Sequence, residues 1–245
     1  MTASIYRPRS GKELIDATFE LVRANFAAFA TVAVIGYLPR LICRLIIPHS
    51  PILTSFILTA LISIPPGIIA QGVLIHIASD AYLGQSIDID RSLRASMSAF
   101  WRLLGADIAA GLLVTIGFLL FIVPGLILTA RFFVVPAVVM LEEERAVDKV
   151  LDRSQMLCQD TRKRIIKFTL IVAVAGLLGG LVIGTSAAIF KSSIVTALLN
   201  LAFDAFAYSF WLVFMTLQYY DGRIRKEGYD SELIARETPA PLATT

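Results

Sequence analysis

Apolar residues run along this chain in long unbroken stretches, separated by short charged segments. About 20 apolar residues in helix cross the hydrocarbon core of a bilayer. The runs predict six spans, over about 26–47, 53–79, 103–122, 125–141, 166–190 and 194–220. Only the sequence IVPG divides the third from the fourth. Pro124 and Gly125 break a helix there, which implies a tight antiparallel hairpin. Pro65 and Pro66 fall inside the second span, where missing N–H groups predict a kink. The expected fold is all-α: a polytopic integral membrane helical bundle. Residues 1–236 form a single transmembrane domain, and 237–245 read as a disordered tail.

Three charged segments carry a second, amphipathic pattern. In GKELIDATFELVRANF, Glu13, Asp16, Glu20 and Arg23 oppose Leu14, Thr18, Leu21 and Val22. In DRSLRASMSAFWRLL, Asp90 is placed to cap a helix whose apolar face is Leu93, Met97, Phe100, Trp101 and Leu104. In EERAVDKVLDRSQML, Val147, Val150, Leu151 and Leu157 oppose Asp148, Asp152 and Gln155. Each precedes two spans, so the chain reads as three units of interfacial helix, span, span; any helix resting on a bilayer would show the same pattern.

Composition agrees: 57% of the 245 residues are hydrophobic and 17% charged, against about 45–50% and about 25% in soluble domains. The net charge of +3 gives no case for nucleic acid. Its distribution is more telling. Arg7, Arg9, Lys12 and Arg23 precede the first span, and Arg91, Arg94 and Arg102 follow the second. Arg145, Lys149, Arg153, Arg162, Lys163, Arg164 and Lys167 follow the fourth, and Arg223, Arg225, Lys226 and Arg236 follow the sixth. All lie on one side of a six-span layout; the other side has Arg40, Arg44 and Lys191. The positive-inside rule puts both termini in the cytoplasm. Tyr219 and Tyr220 then read as interfacial aromatics, with Arg223, Arg225 and Lys226 facing headgroups. The first segment is mixed and charged, unlike a signal peptide. Cys43 and Cys158 fall toward opposite sides and imply neither a disulfide nor a metal site.

A charge at mid-depth is costly unless paired or wet. Arg131 and Asp204 are the candidates, on the fourth and sixth spans, which run the same way. Counted from Glu142 and Tyr220, their depths differ by roughly 8 Å at about 1.5 Å per residue, within reach of an Arg side chain. They are expected to form a buried ion pair, either around a polar cavity or simply fixing helix register. Gln71, His76 and Asp80 lie on the second span, where His76 is a candidate proton shuttle or an ordinary interfacial histidine. His49, in a short outer loop, says nothing specific, and Asp107 follows Arg102 closely enough to snorkel. Gly176, Gly180 and Gly184, with Ala188, share one face of the fifth span and predict close helix packing. No nucleophile, base and acid converge, and no phosphate loop occurs.

The stretch IVPGLILTARFFVVPAVVMLEEERAVDKVLDRSQML and the tail YYDGRIRKEGYDSELIA resemble the glycerophosphoryl diester phosphodiesterase membrane-domain family and related six-span bacterial membrane proteins. Pro124, Gly125, Arg131, Pro136, Glu142 or a neighbour, Arg153 and Ser154 match the first motif. Tyr219, Tyr220, Asp221, Arg223, Arg225, Glu227, Gly228 and Asp230 match the second. Gly222 stands where Leu is expected and would loosen the tail. The resemblance implies a membrane module that serves an enzyme or a lipid process; it does not imply catalysis here. In the tail, Asp221, Arg223 and Glu227 are expected to pair with Glu142, Arg145 or Arg153 and lock the sixth span to the fourth, unless the tail is merely solvated against headgroups.

These readings favour a non-enzymatic bacterial inner-membrane protein that organises lipid or a separate membrane or cytoplasmic partner, with no cofactor. The alternative is a transporter of small solutes or lipid with a polar site around Arg131 and Asp204. Oligomeric state is not specified by the sequence.

Overall fold

A computed structural model describes residues 7–46, 52–142, 146–190 and 192–231. His49, Arg145, Lys191, Arg236 and the 237–245 tail lie outside the described residues. Among those described there is no strand, and the helices run α1 (Gly11–Ala24), α2 (Phe26–Ile46), α3 (Ile52–Tyr82), α4 (Ile89–Leu120), α5 (Ile122–Arg131), α6 (Val135–Leu141), α7 (Val147–Cys158), α8 (Arg162–Phe190) and α9 (Ser193–Glu227). A 3-10 turn, Gln159–Thr161, joins α7 to α8. Six stretches are long and apolar enough to cross a membrane, as the apolar runs require. The chain is an all-α, multi-pass helical bundle.

The local chemistry explains most element ends. The Ser10 side chain accepts from the Glu13 N–H while Glu13 reaches back to the Ser10 N–H, a reciprocal cap that starts α1. Asp88, not the expected Asp90, caps α4 by accepting from the Arg91 N–H at 2.9 Å. The hairpin between α4 and α5 breaks at Phe121, which is extended (φ −164°, ψ 161°). Pro124 sits in the first turn of α5, where its missing N–H leaves no bond unmade. Gly117 and Gly125 face each other across this hairpin. A Cβ on Gly117 would come 3.0 Å from the Gly125 Cα, and one on Gly125 would strike the Phe118 ring, so the hairpin closes over two bare positions.

Two expectations are corrected. The fourth span is not one helix: α5 ends at Arg131 and α6 begins at Val135. Pro136 has no N–H to give the carbonyl four residues back, and its ring crowds that turn. The second interfacial segment is no separate helix but the first turns of the continuous α4. Ser92, Ser96, Ala99 and Leu103 are buried, while Leu93, Met97 and Trp101 are exposed. Small residues win the inner face because lipid solvates Leu and Trp as well as protein does, so close backbone approach decides. At that contact a Cβ on Gly72 would lie 2.6 Å from the Ser96 Oγ. Pro65 and Pro66 both lie inside the single helix α3.

Burial is concentrated toward one end of the bundle. Every residue of α9 from Leu212 to Gly222 is buried, as are Phe133 through Met140. Phe168 stacks on Phe214 at 3.5 Å between centroids, and Phe133 meets Trp211 edge-on at 5.0 Å. At the opposite end Leu119, Phe121, Leu177 and Ile189 are exposed, a surface suited to lipid tails.

Candidate functional site

The buried end of α9 holds the densest polar chemistry. Helix α9 does not stop at Tyr220 but continues to Glu227, where Gly228 takes the left-handed conformation (φ 64°) that caps a helix C-terminus. Tyr219 and Tyr220, expected at the lipid interface, are 0% and 4% exposed. The amphipathic helices α1 and α7 cover this part of α9, and so take the place of the headgroups.

On one flank, Arg153 of α7 donates from Nε and Nη2 to both carboxylate oxygens of Glu142, at 3.0–3.1 Å. This two-pronged geometry is the stronger form of the interaction. The Tyr219 hydroxyl donates to the same carboxylate at 3.0 Å. Arg153 also pairs with Glu227, which in turn holds Arg223 at 2.9 Å. The Arg223 guanidinium lies over the Tyr229 ring, 3.7 Å from its centroid. Glu142, Arg153, Arg223 and Glu227 thus converge, and tie α9 to α6 and α7.

Asp221 belongs to the other flank. It is 2% exposed and faces away from Glu142. Its carboxylate accepts from Arg164 at 2.6 Å, from Arg225 at 2.7 Å and from the Arg9 N–H at 2.7 Å. The Arg9 carbonyl accepts from both Arg164 and Arg225, at 2.7 and 2.8 Å. Arg164 reaches Gln218 at 2.6 Å, and Gln218 donates to Thr161 at 2.7 Å. This network pins the segment before α1 to α8 and α9. A helix turn separates the two flanks by about 100° per residue, which is why neighbours in the tail serve different partners.

Around these, Asp80 pairs with Arg91 at 2.6 Å, Ser79 and Tyr220 share a hydroxyl hydrogen bond at 2.7 Å, and Lys226 pairs with Asp160 at 2.6 Å. Together the contacts form a polar collar. Sequence reasoning missed Arg9, Thr161, Arg164 and Gln218. The usable signal was Gln218 itself, an amide inside the apolar run LVFMTLQYY that needed a buried partner.

The expected Arg131–Asp204 pair is not formed. Asp204 lies 3.4 Å from Arg40 of α2. Arg131 ends α5; its carbonyl accepts from Ser154 at 3.0 Å and its Nε is buried without a partner. The helices explain this: α5 packs against α4, α7 and α8, whereas α9 at the level of Asp204 lies beside α2. Depth alone brought the two residues together, and lateral position separates them. Near Asp204, a cavity of about 370 Å³ is lined by Tyr37, Arg40, Ser63, Gln71 and Tyr208.

The glycine face is also relocated. A Cβ on Gly176, Gly180 or Gly184 would meet open space, while one on Gly179 would strike the Phe203 ring. The contact of α8 with α9 runs through Gly179, one turn position away from the expected stripe. Gly222 does the reverse of loosening: a Cβ there would lie 2.9 Å from the Leu157 carbonyl, so its bareness lets α9 close on α7. Cys43 and Cys158 are buried and free, and no group of His, Cys, Asp or Glu among the described residues is arranged to hold a metal.

No family model, curated protein or solved structure matches this chain.

Proposed function

We propose that this chain is a non-enzymatic, multi-pass protein of a bacterial inner membrane, with both termini in the cytoplasm, that organises lipid or a partner protein at the inner face. The observation that supports it is the collar. Arg9, Arg91, Arg153, Arg164, Arg223 and Arg225 all gather at that end and are held in ion pairs or main-chain hydrogen bonds. Such a platform is rigid and presents a fixed charge pattern at the membrane surface. Its ionised groups are occupied with one another, as suits a scaffold. The resemblance to the glycerophosphoryl diester phosphodiesterase membrane-domain family, proposed from the same residues, supports a membrane module that serves a separate enzyme or lipid process.

The experiment is native mass spectrometry of the protein ejected from its own membrane. A retained lipid or a co-released protein is expected. Release of the bare chain, with neither, would overturn the proposal.

A second reading follows from the cavity beside Arg40 and Asp204. Charged groups within membrane-spanning helices mark solute pathways, and this cavity has the size for a small solute. Substrate flux in proteoliposomes that is lost in Arg40→Met would favour a transporter.

A further inference from the structure

The collar is closed, but the space beside it is open. Between α1, α8 and the end of α9 lies a cavity of about 630 Å³. Its mouth carries Lys12, Lys163 and Lys167, all exposed, and none of the three makes an ion pair or hydrogen bond among the described residues. Of the other charges there, Arg164 and Arg225 share the single carboxylate of Asp221, which offsets one of them, Asp160 is offset by Lys226, and the Arg9 guanidinium sits over the Tyr82 ring. The mouth therefore holds a surplus of positive charge, to which three flexible ammonium groups contribute.

The floor of the cavity is apolar: Ile15, Phe168 and Ile171 line it, and the same three residues line a second cleft of about 270 Å³. That cleft runs down α8 to Gly176 between the rings of Phe19, Phe206 and Phe210. Phe19 and Phe206 are 55% and 47% exposed. From Lys167 to Gly176 is about 14 Å along the helix at 1.5 Å per residue. Half the hydrocarbon thickness of a bilayer is about 15 Å. A basic mouth at the membrane surface thus opens into a greasy groove one leaflet deep, and Gly176, bare on that side, keeps the groove clear.

We propose that this composite site binds an anionic phospholipid of the inner leaflet, its phosphate among Lys12, Lys163 and Lys167 and one acyl chain along α8 past Gly176. The inference rests on the lipid-organising reading above and names the class of lipid. A soluble phosphate would use the mouth but not the groove; a neutral lipid would use the groove but not the mouth. Each Lys near an anionic surface contributes about 1 kcal/mol, or roughly five-fold in affinity.

The test is the thermal stability of the full chain in mild detergent, with phosphatidylglycerol, phosphatidylcholine or inorganic phosphate added. Phosphatidylglycerol is expected to raise Tm above the other two. Lys12→Gln with Lys163→Gln and Lys167→Gln should remove that advantage. Gly176→Leu, which fills the groove without touching the mouth, should also weaken it. Equal shifts with both lipids, a shift reproduced by phosphate alone, or a phosphatidylglycerol effect that survives Gly176→Leu would each overturn the proposal. Lipid or protein retention in native mass spectrometry would still stand in those cases, so the broader reading fails separately.

Discussion

The carboxylate of Asp221 lies 2.6 Å from the guanidinium of Arg164, across 57 residues of sequence, with only 2% and 13% of the two side chains exposed. The pair joins the start of α8 to the end of α9 and takes in the main chain at Arg9 as well. Removing one partner of a buried pair leaves a desolvated charge behind. Asp221→Asn is therefore expected to cost about 3–5 kcal/mol, read as a large drop in Tm in detergent. Lys226→Gln, which breaks the partly exposed pair with Asp160, should cost about 0–1 kcal/mol. Equal losses in the two variants would contradict this account.

Arg153 holds Glu142 and Glu227 together, so its loss leaves two carboxylates with like charge nearby. Arg153→Met is expected to lower Tm more than Glu142→Gln. A double-mutant cycle between positions 153 and 142 should give a coupling of about 0.5–3 kcal/mol. A coupling of zero would mean the contact seen between them contributes nothing. Tyr219→Phe, which removes only the hydroxyl donated to the Glu142 carboxylate, should cost about 1.5–3 kcal/mol.

Gly222 faces the Leu157 carbonyl at a distance that admits no side chain. Gly222→Leu is expected to destabilise by about 1–3 kcal/mol or to prevent folding. Gly180→Leu, into open space beside the lipid, should stay within about 0.5 kcal/mol of wild type. Expression level and Tm of the two variants, compared side by side, decide the matter.

Asp204 answers to Arg40, not to Arg131. Arg40→Met should raise the reactivity of Asp204 toward a carbodiimide, and Arg131→Met should leave it unchanged. Peptide mapping of the labelled protein reads this directly, and the opposite pattern would restore the pairing that depth alone suggests.

The cap of α1 depends on Glu13. The Ser10 N–H, followed by the Arg7 side chain, holds its carboxyl down at about 2 from the ordinary 4.5. A lowered folded-state value favours the folded cap above about pH 4.5, and the benefit fades as pH falls toward 2. Protection of the amides of residues 11–16, measured relative to the intrinsic exchange rate at each pH, should fall across that window. In Glu13→Gln the pH dependence should vanish.

Much of this protein was legible in the chain. Run lengths of apolar residues set the number of crossing stretches, because the bilayer demands a fixed length of satisfied backbone whatever surrounds it. The asymmetry of Lys and Arg pointed to one charged end, and the mixed charges from Asp221 to Glu227 pointed to a structured patch there. What could not be read was which charge meets which. Asp221 and Glu227 differ by six residues, yet one turns to Arg164 and the other to Arg153, because helix rotation is absolute only once α7 and α8 are docked. The same limit displaced the glycine contact to Gly179 and gave Asp204 to Arg40. Along a helix, sequence determines depth and periodicity; the lateral order of helices is set by close packing between small surfaces such as Gly72 on Ser96 and Gly222 on Leu157. Lipid offers no hydrophobic gain to choose among those arrangements. The crossing stretches and the charged end were therefore properties of the sequence, while the ion-pair partners and the open groove along α8 came into being only with the assembled bundle.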